Sequence, residues 1–221
     1  MSKKLSAIVL GITLAYGATA AIAADEATIF QSGWYNNASI QQIDGDLSFA
    51  SISQGGIGNN AVVVQDFVAV GHAEITQNGN FGTATINQSS RFAVNGTGNS
   101  NGMREHSSYQ TASINQTRGW NNDALVTQTG SSVDAGITQA GVGNTAGILQ
   151  HGTGNAFDRA TIRQNGMYNE GNITQSGTNL IATISQTGAR HDAVINQLGA
   201  NKTATITQLG GYHNVASIMQ R

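Results

Sequence analysis

The chain has 221 residues, a formal net charge of −2 at pH 7 and only 10% charged residues, and it contains 28 Gly but no Cys and no Pro. The absence of Cys excludes disulfide bonds and thiolate metal sites, and the slightly acidic balance argues against a nucleic-acid-binding surface. Low charge without Pro removes two common devices by which sheet edges avoid pairing with other chains.

The first 23 residues have the features of a secretory signal peptide. An apolar run over residues 5–20 follows Lys3 and Lys4 and leads to a triplet of mostly small residues at 21–23. A membrane anchor is the alternative, but no basic stop-transfer segment follows the run. We therefore predict a signal peptide over residues 1–23 that is cleaved before Ala24.

A five-residue pattern, Ala-x-Ile-x-Gln, recurs through the rest of the chain. It occurs sixteen times, with rare Gly or Val replacements, and ends at Gln31, Gln42, Gln54, Gln65, Gln77, Gln88, Gln116, Gln128, Gln139, Gln150, Gln164, Gln175, Gln186, Gln197, Gln208 and Gln220. The three repeated residues are two positions apart, so they project from one face of an extended strand, whereas a helix would scatter them. Each copy is therefore predicted to be a short strand.

The turns between the strands indicate how the strands combine. In one set of turns Asn lies five residues after the Gln, at Asn36, Asn59, Asn144 and Asn169, or is shifted by one, at Asn122 and Asn214, whereas the alternate turns lack this placement except for Asn155 after Gln150. These Asn mark alternate turns, so two successive strands form one rung, and like strands stack in parallel at about 4.8 Å per rung. The sequence predicts an all-β fold, a β-solenoid of about eight strand-turn-strand rungs with cross-β, amyloid-forming stacking.

Stacking places identical side chains in columns. A buried Gln is costly alone, but stacked Gln residues can bond to the Gln above and below. The predicted first strands of the rungs end at Gln31, Gln54, Gln77, Gln116, Gln139, Gln164, Gln186 and Gln208, and they carry Ile29, Ile52, Ile75, Ile114, Ile137, Ile162, Ile184 and Ile206. We predict that all sixteen Gln residues, these Ile residues, the four Asn residues and Ser48 form the stacking ladders and core.

One step between copies is longer than the others. The distance from Gln88 to Gln116 leaves room for an insertion at 89–109, whose Gly and Asn content is typical of a surface loop. The expected organisation is a signal peptide at 1–23, repeats 1–3 at 24–88, the insertion at 89–109 and repeats 4–8 at 110–221.

Residues 48–65 read Ser-x5-Gln-x4-Asn-x5-Gln, through Ser48, Gln54, Asn59 and Gln65. This stretch resembles the repeat of the curlin family, and related spacing covers essentially all of the chain after residue 23. In the other units the Ser slot holds Asp25, Gly71, Gln110, Val133, Asp158, Leu180 or Lys202.

The resemblance implies a structural subunit of extracellular curli-type functional amyloid fibres, which are pilus-like fibres of the bacterial cell surface that serve adhesion and the biofilm matrix. The implied partners are further copies of this chain, a second curlin-type subunit and the outer-membrane export machinery. The regular Ala-x-Ile-x-Gln-x-Gly pattern and the basic end at Gln220-Arg221 resemble the nucleating minor subunit of the family more than the major subunit. The major subunit is the alternative.

Catalytic and ligand-binding chemistry is not indicated. The five histidines, His72, His106, His151, His191 and His213, lack the spacing of metal ligands. A carboxylate pair for glycoside hydrolysis could be drawn from Glu74, Glu105 and Glu170 with the scattered aspartates, but a thin solenoid is expected to offer no cleft for a substrate. We expect no enzyme activity, no cofactor, no metal, no nucleic acid and no small-molecule substrate.

Two other functions suit a β-solenoid, a non-polymerising surface adhesin and a protein that binds a flat ligand. A flat ligand would need regular ranks of Thr, yet only Thr205 with Thr207 fills both intervening slots of a copy. A monomeric adhesin would need polar caps over its outer rungs. The repeats extend from Ala27 to Gln220, so we expect no such caps.

Overall fold

The computed structural model describes residues 25–43, 47–66, 68, 70–89, 109–153 and 156–221. The predicted signal peptide and almost all of the predicted insertion therefore lie outside the described residues. None of the described ranges contains a helix that is long and apolar enough to cross a membrane. Their strands are β1 (Glu26–Gln31), β2 (Asn37–Ile43), β3 (Phe49–Gln54), β4 (Asn60–Asp66), β5 (Val70–Gln77), β6 (Thr83–Ser89), β7 (Tyr109–Trp120), β8 (Asp123–Gly130), β9 (Val133–Val142), β10 (Thr145–Gly152), β11 (Asp158–Met167), β12 (Glu170–Ala189), β13 (Asp192–Tyr212) and β14 (Val215–Gln220).

The strands form two parallel stacks that face each other. The first stack runs β1-β3-β5-β7-β9-β11 and continues through the C-terminal halves of β12 and β13. The second stack runs β2-β4-β6-β8-β10 and continues through the N-terminal halves of β12 and β13 to β14. One strand from each stack makes a rung, because the chain alternates between the stacks. The predicted β-solenoid of about eight rungs is confirmed.

The register of the stacks aligns the repeat with itself. Ile52 pairs with Ile75 and Gln54 with Gln77 in neighbouring rungs, and the same correspondence holds along both stacks. Pairing continues across the long step, since Gln77 lies beside Gln116. The limits of the insertion stay a prediction. The strands on either side of it are β6, which ends at Ser89, and β7, which begins at Tyr109.

The core is a thin apolar seam between the stacks. Alternate residues of the inner strands are buried, as in β4 and β6, because successive side chains point to opposite faces of a sheet. The buried seam consists of the Ala and Ile or Val residues of the repeat. In the outer rungs, Ile29, Ile40 and Ile218 are only partly buried, because no further rung of the described residues covers them.

Close stacking of the turns requires Gly at one position. Gly141 and Gly166 have φ values of +110° and +132°, which residues with a side chain rarely adopt. A Cβ on Gly141 would overlap the carbonyl oxygen of Gly166, and one on Gly166 would overlap that of Gly188. The turn backbones therefore touch from rung to rung with no space for a side chain.

Candidate assembly site

The repeated Gln side chains form two continuous hydrogen-bonded ladders. In the first stack each Nε2 donates to the Oε1 of the next rung at 2.7–2.9 Å, from Gln31 to Gln208. The second stack repeats this from Gln42 to Gln220 at 2.8–3.0 Å. The structure thus places all sixteen predicted Gln residues in two columns, and in both columns the donors point towards the C-terminal rungs.

The amides also tie the two stacks together, both within a rung and between neighbouring rungs. Besides its ladder bond to Gln164, Gln139 Nε2 donates to the backbone oxygen of Asp123, in the preceding rung, at 2.9 Å and to that of Asn144, in its own rung, at 3.0 Å, so one of its two N–H groups is shared between acceptors. Its Oε1 accepts from Gln116 at 2.9 Å. A buried primary amide with its donors and acceptor all engaged carries no desolvation penalty for an unpaired group.

The predicted Asn residues close the turns between the first and second strands of the rungs. Asn59 Nδ2 donates to backbone carbonyls of its own turn and of the next turn, at 2.7 and 2.8 Å. The backbone N–H of Asn59 donates to Asn36 Oδ1 at 3.0 Å, and that of Asn169 donates to Asn144 Oδ1 at 3.1 Å. These residues lie in one column, which we call the Asn column.

His191 is a further member of the Asn column that was not predicted from the sequence. Its backbone N–H donates to Asn169 Oδ1 at 3.0 Å, and its buried ring accepts the N–H of Asn214 at Nδ1, at 3.3 Å. Because Nδ1 accepts, the proton lies on Nε2, which donates to Thr187 O at 3.2 Å. The available signal was position, since His191 follows Gln186 by five residues, as the predicted Asn residues follow theirs.

The Ser slot of the repeat forms a second corner column, at the edge where one rung leads into the next. This Ser48 column contains, in rung order, Asp25, Ser48, Gly71, Gln110, Val133, Asp158, Leu180 and Lys202. Ser48 itself is buried and donates its hydroxyl to Val68 O at 3.0 Å. The members between the two ends are all buried, although their chemistry differs.

One carboxyl is buried in the Ser48 column. Asp158 is fully buried, and its Oδ1 accepts the backbone N–H of Leu180 at 2.8 Å. Within the described chain its Oδ2 has no hydrogen-bond partner. Burial raises the pKa of the Asp158 carboxyl, and the hydrogen bond from Leu180 partly opposes that rise.

The two outer rungs carry the unfinished ends of the ladders. In the described residues no N–H donates to the Oε1 of Gln31 or Gln42. Gln208 Nε2 donates to the backbone oxygens of Asp192 and Asn214, at 2.9 and 2.8 Å, which correspond to the Asp123 and Asn144 acceptors of Gln139. Among the described residues, Gln208 lacks only the bond to a following Gln.

The histidines do not form a metal centre in the ranges that the structure describes, where no group of three metal-ligating side chains occurs. His106 and Glu105, named in the sequence analysis, lie outside the described residues. His72 contributes instead to a stack with the ring of Phe49, with centroids 4.9 Å apart.

Comparison with known protein families gives one match. Residues 177–210 match the model of the curlin associated repeat. The matched segment covers the C-terminal part of β12 and nearly all of β13. It contains the ladder residues Gln186, Gln197 and Gln208. The resemblance to the curlin family is confirmed on this segment, and that family is structural, not enzymatic. No curated protein matches the chain.

Proposed function

We propose that this chain, a β-solenoid with a curlin associated repeat, is a structural subunit of an extracellular curli-type amyloid fibre. It is secreted through the outer-membrane export machinery and polymerises on the bacterial surface, with itself and with a second curlin-type subunit. The fibre serves adhesion and the biofilm matrix. Polymerisation proceeds by stacking of whole rungs at the two open ends.

The observation that carries this proposal is the complementarity of the outer rungs. The N-terminal rung presents acceptors without donors, Gln31 Oε1 and Gln42 Oε1. The C-terminal rung presents Gln208 and Gln220, whose amides have no following Gln to donate to. A second copy stacked head to tail therefore continues both ladders with the donor direction that every internal rung uses.

The same stacking completes the core and the backbone pairing. Ile29 and Ile40 at one end, and Ile218 at the other, are the partly exposed members of Ile columns that are otherwise buried. Covering an apolar side chain is worth about 25 cal/mol per Å² removed from water. The open edges of four strands also gain backbone hydrogen bonds, which makes polymerisation the favourable outcome for this fold.

The test is polymerisation of the purified chain, followed by thioflavin fluorescence and fibre diffraction, without and with sheared seeds. We expect growth that seeds accelerate, and a meridional reflection near 4.8 Å, the spacing of stacked strands. A stable monomer that never adds to seeds would refute the fibre and favour a non-polymerising adhesin. An unseeded lag close to zero would assign the nucleating role, and a long lag removed by seeds would assign the major subunit.

A matched pair of variants tests whether the ladder end is the contact. Gln42→Leu removes an acceptor at the open N-terminal rung, whereas Gln41→Leu alters the neighbouring exposed residue on the outer face of the same strand. We expect slower elongation for Gln42→Leu only, since its carbonyl would accept the hydrogen bond from the next copy. Equal elongation rates for the two variants would show that the ladder ends do not meet.

A further inference from the structure

The Ser48 column begins and ends with opposite charges. Asp25 lies in the N-terminal rung, where its Oδ1 accepts the backbone N–H of Ser48 at 2.9 Å. Lys202 lies in the C-terminal rung, in register with Leu180. In the described column these are the two members with an uncovered side, Asp25 exposed and Lys202 partly buried. Head-to-tail stacking would place them in adjacent rungs, about 4.8 Å apart along the stacking direction.

Both side chains retain bonding capacity for this contact. Asp25 uses Oδ1 for Ser48, and no described group donates to its Oδ2. Lys202 Nζ makes one hydrogen bond, to the exposed backbone oxygen of Arg221 at 3.1 Å. An ammonium group has three donors, so it can bind a carboxylate without losing this bond.

Asp158 is an aspartate of the same column that has no cationic residue in the preceding rung, and its second carboxylate oxygen is unpaired among the described residues. It holds the backbone of the following rung through Oδ1, as Asp25 does, but the preceding member of its column is Val133. Its Oδ2 accordingly has no partner among the described residues. At a head-to-tail junction Lys202 would occupy the place that Val133 occupies before Asp158, and the second oxygen of Asp25 would gain a donor.

An aromatic pair falls in the same junction register. Trp34 and Tyr212 are the first and last members of one turn column, connected rung by rung through the pairing of the intervening residues. They are 67% and 71% exposed, and stacking of a second copy would place them beside each other. Because exposed aromatic rings gain from packing against each other, Trp34 and Tyr212 would add a contact between copies at a turn, apart from the Ala, Ile and Gln residues of the repeat.

We propose that Asp25 and Lys202 form an ion pair between successive copies of this chain, and that this pair sets the polarity of assembly. The inference rests on the proposed function, because it presumes head-to-tail growth. Two copies that met through like ends would leave the two Asp25 carboxylates, or the two Lys202 ammonium groups, without the opposite charge. A charge left unpaired in a contact that becomes buried is unfavourable, so the pair disfavours these arrangements as well as stabilising the correct one.

The test uses two complementary charge reversals, Asp25→Lys and Lys202→Asp, in growth from sheared wild-type seeds. Either variant alone can add to one end of a seed, but its next junction sets like charges together, so sustained growth should be at least about tenfold slower than wild type. In an equimolar mixture every alternating junction regains an opposite pair. We expect the mixture to restore growth to within about threefold of wild type.

Glu26→Lys is the matched control. It makes the same change of charge one residue further along the N-terminal rung, on the exposed outer side, where the column ends at Thr203. We expect it to grow at the wild-type rate and to gain nothing from mixing with Lys202→Asp. A mixture of the two reversals that grows no faster than either alone overturns the ion pair.

Neutral variants keep the test decisive if a reversal disturbs its own rung. Asp25→Asn retains the oxygen that accepts from Ser48, and Lys202→Met retains most of the side-chain volume. We expect each to slow growth severalfold, and the double variant to be no slower than the single ones, as for a coupled pair. Additive slowing would overturn the pair while leaving the fibre intact. Failure of the wild-type chain to grow would overturn the fibre and the pair together.

Discussion

The Gln ladder makes a quantitative prediction at Gln139, in the middle of the first stack. Gln139 is fully buried and takes part in four hydrogen bonds, with Gln116, Gln164, Asp123 and Asn144. Substitution by Leu keeps the approximate volume and removes all four. We expect the free energy of unfolding to fall by about 2 kcal/mol, because one buried polar group is left unpaired, at a cost of about 1–3 kcal/mol, and the added apolar surface returns only part of the lost hydrogen bonding.

The main cost arises at Gln164. Its Oε1 accepts from Gln139 alone, whereas Gln116 Nε2 still donates to Thr83 O and to Asn122 O after the substitution. The assay is urea unfolding followed by far-UV circular dichroism, at concentrations at which the protein does not sediment.

Thr138→Leu is the control for Gln139→Leu, because Thr138 is exposed on the outer face of the same strand. We expect it to change the free energy of unfolding by less than about 0.5 kcal/mol. If Gln139→Leu were as stable as this control, the amide column would contribute no net stability, and its value would be limited to holding the register of the rungs.

Three further substitutions test the packing and the buried charge. Gly166→Ala should prevent folding of its turn, because the added Cβ meets the next rung and φ is positive, whereas Gly136→Ala, with open space around the new Cβ, should be neutral; circular dichroism compares them. Ile162→Ala should lower the free energy of unfolding by about 2–5 kcal/mol in urea titrations, since it leaves a cavity in the seam. Asp158→Asn should stabilise the protein at neutral pH and flatten its pH dependence. The raised pKa of Asp158 means that its contribution to stability is greatest when the carboxyl is protonated and is lost as pH rises through the folded-state pKa. Unfolding midpoints from pH 3 to 7 measure this, and a parallel pH dependence in both proteins would refute it.

The fold followed from the sequence because the repeat carries two kinds of information. The two-residue spacing within each copy predicts a strand with one apolar face, and the Asn in alternate turns indicates which strands share a rung. Columns of identical residues then define the register, since a slip by one residue would turn the buried Ile and Gln residues to the outer face. The same information predicts that Gln77 and Gln116 lie in neighbouring rungs despite the long step between Gln88 and Gln116, as the structure shows.

The corner residues were less accessible from sequence. Asp158 and Leu180 differ from Ser48 in size and charge, and they share its column only because the Gln and Ile residues beside them hold the register. His191 was missed for the same reason, since a ring in place of an amide carries no repeat signature. At such positions the space and the hydrogen-bonding groups of the neighbouring rungs determine which side chain fits. The identity of the residue alone does not show which groups surround it.

The repeat alone predicts the solenoid, its rungs and the residues that share a column, because a pattern that recurs sixteen times favours the arrangement that stacks like Ile on Ile and Gln on Gln. The direction of the ladders and the hydrogen bonds of the corner residues followed from the tertiary structure. The direction in which an amide donates depends on how each Gln is oriented by backbone carbonyls of the opposite stack, as Gln139 is by Asp123. Asp123 is 16 residues from Gln139 in sequence and lies in the preceding rung, so its carbonyl comes within reach only when the two rungs stack.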